Sequence, residues 1–177
     1  MNDGYSKKIK CILEEGERCK KLMGPCVVQG PTGPTGPAAL NAFGSRYDAS
    51  GDDITLTANV MSVVPLSSLG PLFGITGLTE NSLTLTDTGT FKIDYSFSGS
   101  SSANATINVE VLRNGNLISS STITRTVTAN ANENFVGSVI VVLESGDDLS
   151  LGIESSAATT ITLNDGIAAY LNVVQLS

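Results

Sequence analysis

The chain contains no histidine and no tryptophan, only 5% aromatic and 15% charged residues, and three cysteines in 177 positions. Each shortage excludes something. Without histidine the commonest general base is missing, so no Ser/His/Asp or Cys/His constellation can form. We therefore nominate no catalytic residue, and the chain reads as a non-enzyme. The cysteines, Cys11, Cys19 and Cys26, all fall in the first 26 residues, so the rest of the chain must fold without a disulfide. Their spacing matches no usual zinc pattern. Long apolar runs are also lacking. The opening residues hold no stretch of signal-peptide length, and the uncharged segment from Thr55 to Thr79 is interrupted by Pro65, Gly70, Pro71, Gly74 and Gly77. No signal peptide and no membrane span are expected.

Charge is scarce and unevenly placed. Residues 1–26 carry six cations (Lys7, Lys8, Lys10, Arg18, Lys20, Lys21) against four acids, a net +2. The remainder carries Arg46, Lys92, Arg113 and Arg125 against thirteen acids, a net −9. An acidic body of this kind argues against nucleic acid as a partner. It also allows the basic tail of one molecule to meet the acidic body of another. The carboxylates of Asp52, Asp53, Asp147, Asp148 and Asp165 stand in turn contexts, where they satisfy backbone donors and keep the surface soluble. No spacing among them matches a known calcium loop, so no metal site and no cofactor are expected. The Asn104-Ala105-Thr106 sequon carries little weight in a chain without a secretion signal.

What is present is sharply zoned. Residues 5–23 space Ile9, Ile12, Leu13, Leu22 and Met23 roughly as a short amphipathic helix, stopped by Gly24-Pro25. Next, Gly30-Pro31-Thr32-Gly33-Pro34-Thr35-Gly36-Pro37-Ala38 is three Gly-X-Y triplets. Glycine at every third position is what a collagen triple helix needs, because only hydrogen fits at its crowded axis, so Gly30, Gly33 and Gly36 predict a trimer. A Pro/Gly-rich linker that stays single-stranded is the alternative. The rod would be only about 28 Å long, too short to hold itself together, so a neighbouring module must do the trimerising. An odd number of cysteines in a trimer favours cross-links between chains, with reduced thiols as the alternative.

From Phe43 onward strand signals dominate. Phe91-Lys92-Ile93-Asp94-Tyr95-Ser96-Phe97 alternates apolar and polar residues with period two, and Ile107, Val109 and Val111 do the same. Asn114-Gly115 is the strongest short hairpin signal, Gly146-Asp147-Asp148 and Asn164-Asp165-Gly166 mark further turns, and a last strand is expected over Ile167–Leu176. Phe135–Leu143 is almost wholly apolar and reads as a central strand covered on both sides. Val60–Val64 reads as core strand, and Leu66–Leu78 as a segment buried at a subunit interface or in the core. The aromatics are expected mostly at core positions. Eight or more short strands over the C-terminal three-quarters predict an all-β sandwich. The organisation is thus a Cys-bearing basic tail (1–23), a short collagen-like stalk (24–42) and an all-β head (43–177).

Taken together, Gly30–Ala38, Leu83–Tyr95, Leu112-Arg113-Asn114-Gly115, Val139–Leu151 and the closing Ala169–Ser177 resemble the collagen-like exosporium glycoproteins of spore-forming Bacillus and Clostridium relatives. The resemblance implies a tumour-necrosis-factor-like jelly-roll head, a homotrimer and a place on the spore surface. It also implies O-linked sugars on Thr32 and Thr35, which read equally as plain third-position residues. Members of that family carry tens of triplets, whereas this chain has three, so the resemblance points to a compact repeating unit rather than a long hair. The reading is a trimeric structural subunit that self-assembles into a filament or spore appendage. Its tail would dock onto a neighbouring trimer, Cys11, Cys19 and Cys26 would lock the joint, and an exosporium anchor protein is a further partner. A surface-display or adhesion head that binds a host or matrix partner is the other reading.

Overall fold

A computed structural model describes residues 42–177. The tail and stalk, including Cys11, Cys19, Cys26, Gly30, Gly33, Gly36, Thr32 and Thr35, lie outside the described residues.

The head is built from β1 (Phe43–Asp48), β2 (Asp53–Leu56), β3 (Ser62–Val63), β4 (Ser68–Phe73), β5 (Ile75–Thr76), β6 (Ser82–Leu85) and β7 (Gly89–Ser101). It continues with β8 (Ala105–Arg113), β9 (Asn116–Leu117), β10 (Ile123–Val127), β11 (Asn132–Leu143), β12 (Asp148–Ser155), β13 (Thr159–Leu163) and β14 (Ala169–Gln175). All strand pairs are antiparallel. They form two sheets of seven strands. The first runs β2-β13-β7-β14-β1-β4 with β11 on the other side of β7; the second runs β10-β8-β12-β6-β5 with β3 and β9 added at β12 and β8. This is the all-β sandwich expected, and its strand order is that of a jelly roll.

Period-two alternation explains the stacking of the sheets. Along β7, Phe91, Ile93, Tyr95 and Phe97 are buried, and the residues between them point away from the core. Ile107, Val109 and Val111 of β8 face them with Leu149, Leu151 and Ile153 of β12. Fully burying one such side chain contributes about 1.5–3 kcal/mol, so the inward rows of the two sheets dominate folding. The β8–β9 hairpin turns at Asn114 and Gly115 with φ of 52° and 76°, the left-handed pair that a two-residue hairpin requires. Tyr95 is the largest fully buried side chain, and its hydroxyl donates to the Ser121 carbonyl. Its ring lies over Gly137 so closely that a Cβ there would collide with it.

Three expectations need correction. Phe135–Leu143 is a strand but not a central one: β11 pairs only with β7, and its even-numbered residues are exposed. Both of its faces are apolar, which a sequence cannot distinguish from a strand covered within its own chain. In Val60–Val64 only Val64 enters the core, while Val60 and Val63 are exposed. Within Leu66–Leu78, which the sequence offers to a subunit interface or to the core, Leu66 and Ile75 enter the core, while Leu69, Phe73 and Leu78 stay on the surface of the single chain. The last strand starts at Ala169 rather than at Ile167, which is exposed. It does lie inside a sheet, between β1 and β7.

Candidate functional site

The outward face of the first sheet carries the residues that its folding does not use. Strand register sorts them into rows running across β1, β14, β7 and β11. One row is Phe43, Val174, Lys92 and Ile140, extended onto β4 by Phe73. The next is Ser45, Asn172, Asp94 and Ser138, and the third is Tyr47, Tyr170, Ser96 and Val136. Apolar and aromatic groups thus flank a polar centre line. Val136, Ile140 and Val142 are 59%, 60% and 70% exposed, far above what an outward strand of a stable monomer needs. The Phe43 and Phe73 rings stack with centroids 5.9 Å apart. Beside them a shallow groove of about 370 Å³ is lined by Phe43, Gly44, Ser45, Pro71, Val173 and Val174. Four aromatics (Phe43, Tyr47, Phe73 and Tyr170) therefore sit outside the core, contrary to the expectation that most would be inside.

The polar centre line is internally satisfied. The Ser45 hydroxyl donates to Asn172 Oδ1 at 2.6 Å, and Lys92 Nζ pairs with Asp94 Oδ2 at 2.8 Å. Partial burial works to raise the Asp94 carboxyl, but hydrogen bonds from Lys92 and Ser138 and the Lys92 charge outweigh it and hold the group below its ordinary value. Such a line can be desolvated against another protein surface without stranding a charge.

At the edge of this face a single side chain organises the segment that exposes Leu69, Phe73 and Leu78. Arg46 is buried, and its guanidinium donates to four main-chain carbonyls: Ser82 at 2.7 Å, and Leu66, Gly77 and Thr79 each at 2.8 Å. Four carbonyl dipoles stand in for a carboxylate partner. Hydrogen bonds from a charged donor contribute about 1.5–3 kcal/mol each, enough to pin the whole segment between β3 and β6. Gly77 and Thr79 flank Leu78, which is 92% exposed, so a fully solvated leucine is held on a rigid loop. Nothing in the sequence marks Arg46; Ser-Arg-Tyr reads as an ordinary surface strand.

The turn acids divide. Asp52, Asp53 and Asp165 are exposed as expected. Asp147 is not a surface group: it is buried, pairs with Arg113 at 2.8 Å, and accepts from the Glu144 N–H and the Asn114 amide. Burial would raise its carboxyl, yet the Arg113, Glu144 and Asn114 hydrogen bonds and the Arg113 charge hold it low. Asp148 accepts the Ser82 and Thr84 hydroxyls at 2.8 Å each. These bonds tie the turns at Asn114 and Asp147 to β6 at one end of the sandwich. No group of three or more Cys, Asp or Glu able to hold a metal occurs among the described residues.

Residues 45–177 match the family model described as the BclA C-terminal domain. Among solved structures, the chain is similar to the Eiger TNF of S. frugiperda, with a TM-score of 0.59, 12% identity, and coverage of 78% of this chain and 94% of that one. It is also similar to murine APRIL, with a TM-score of 0.55, 15% identity, and coverage of 76% and 98%. At such identities the likeness concerns the fold, which is the jelly roll of tumour-necrosis-factor-like proteins. The comparison with curated proteins finds no match.

Proposed function

The chain belongs to the BclA C-terminal domain family, a family of the spore surface and exosporium, and on that premise we propose that it is a structural subunit whose head trimerises through the outward face of the first sheet. One observation carries the reading. Val136, Ile140 and Val142 form a solvent-facing apolar row on a strand whose opposite row is core. A strand apolar on both faces is designed to be covered on both faces, and in a second copy the aromatic groove at Phe43 and Phe73 supplies a complementary surface. Obligate interfaces bury 2,000 Å² or more and resemble a core cut in half.

In this reading Gly30, Gly33 and Gly36 wind the three chains together. The basic tail joins one trimer to the next, with Cys11, Cys19 and Cys26 as covalent locks, so that trimers build a filament or appendage. The test is sedimentation equilibrium of the full chain, followed by negative-stain microscopy with and without reductant. A trimer mass and reductant-sensitive fibres are expected; a monomer at micromolar concentration overturns the proposal.

A second reading, a surface-display or adhesion head, is favoured by Leu78. Arg46 fixes the main chain on both sides of this solvated leucine before any partner arrives, which lowers the backbone ordering cost of binding.

A further inference from the structure

Three of the head's four cations are paired or hydrogen-bonded, and the exposed fourth lies over a ring. Arg46 holds four carbonyls, Lys92 pairs with Asp94, Arg113 pairs with Asp147, and Arg125 lies over the Phe135 ring at 5.8 Å. None of the four is in an ion pair at the end of the sandwich where β1 finishes. There two loops lie side by side, residues 49–52 and 164–168. The Asp53–Thr162 pairing holds them together, as does the Ala168 N–H, which donates to the Asp48 carbonyl at 3.2 Å. Asp52 and Asp165 stand on these loops and Asp53 opens β2 beside them; all three are exposed, and none is in an ion pair among the described residues.

A buried group points the same way. Asp48 is completely buried; its Oδ1 accepts the Ser50 N–H at 3.3 Å and the Ser50 hydroxyl at 2.8 Å, which turns the carboxyl toward the first loop. Its Oδ2 has no hydrogen-bond partner. The end is therefore negative at its surface and has an unsatisfied acceptor beneath it.

The chain joins the head at the opposite end. β1 begins at Phe43 and ends at Asp48, a rise of about 17 Å along an extended strand. The Gln175 N–H donates to the Ala42 carbonyl at 2.9 Å, so the final strand also finishes on the entry side. The remaining cations of the chain lie in residues 1–26, where Lys7, Lys8 and Lys10 form a run with no acid among them.

We propose that the acidic end formed by Asp52, Asp53 and Asp165 is the docking surface for the basic segment Lys7–Lys10 of a second copy, which makes assembly head to tail. The inference rests on the self-assembly reading above and gives it a landing site. Direction follows from chain order: the chain enters the head at Ala42, beside the end of β14, and the exposed carboxylates stand at the other end. Exposed charges are screened over about 8 Å at 0.15 M salt, so the joint weakens as salt rises.

A charge swap on the full chain tests this. One variant carries Lys7→Glu, Lys8→Glu and Lys10→Glu; the other carries Asp52→Lys, Asp53→Lys and Asp165→Lys, with Asp52→Asn, Asp53→Asn and Asp165→Asn as a milder form. Circular dichroism and trimer mass establish that each is folded. Expected is loss of sedimenting assemblies for each reversed variant alone, and recovery to the wild-type level when the two are mixed in equal amounts. An end-reversed protein that assembles alone like wild type overturns the proposal, and so does a mixture that stays apart. If wild type itself remains as discrete trimers, the fibre reading fails while docking is still read from a labelled peptide of residues 1–23. Binding at least tenfold weaker to the end-reversed trimer supports the landing site, and equal binding overturns it.

Discussion

The two sheets have the same interior and different exteriors. Inward rows of both are mainly aliphatic and aromatic, with Arg46 and Asp48 of β1 as buried charged exceptions. Outward, strands β8, β10 and β12 of the second sheet show Thr106, Asn108, Thr124, Thr126 and Glu154, with the Thr124 hydroxyl donating to Asn108 Oδ1 at 2.7 Å. Exposed large apolar groups on that sheet are confined to Val63 and Leu117 on its two-residue strands β3 and β9. The first sheet shows Phe43, Tyr47, Val136, Ile140, Val174 and Tyr170 around a satisfied polar line. Folding demands nothing of either exterior, so the difference between them records what each face meets. The polar exterior meets water. The apolar one is built to be covered.

The comparison breaks most sharply at Ile140. Ile140→Asp is expected to abolish the trimer, leaving a folded monomer by sedimentation and circular dichroism, whereas Thr124→Asp leaves the mass unchanged. Equal effects from both would erase the distinction between the faces. Next in size is Arg46→Met, which strands four carbonyls in the segment bordering the apolar face. A loss of about 3–5 kcal/mol in chemical denaturation is expected, in the range for breaking a buried charge network. Smallest is the response to acid. Asp94 and Asp147 are held below their ordinary values in the folded state, so the stability they contribute is complete above the unfolded carboxylate value of about 4. It is lost as pH falls from there through the lowered folded values. A melting series from pH 6 to pH 2 reads this, and Asp94→Asn flattens part of it. Stability that is unchanged down to pH 2 contradicts both assignments.

How much of this was legible in the residues depended on periodicity. Phe91–Phe97 alternates cleanly, and β7 has the predicted inward row. Asn114-Gly115 named its hairpin because few residues tolerate a positive φ. Phe135–Leu143 was legible as a strand but misplaced, since an apolar outward row looks the same whether its cover comes from one chain or from another. Arg46 and Asp147 were opaque for a different reason. Their partners are main-chain carbonyls and an arginine brought close only by the fold, and no local pattern encodes such distant neighbours.

The Thr90 N–H donates to the Ser177 carbonyl at 3.0 Å, and β14 ends beside Ala42, so entry and exit of the head share one side. For anyone using this scaffold to present a cargo, that geometry decides the attachment point. A peptide fused after Ser177 would emerge at the base of the head, crowded against the entering chain. The same peptide grafted into the Asp165-Gly166 turn would stand at the crown.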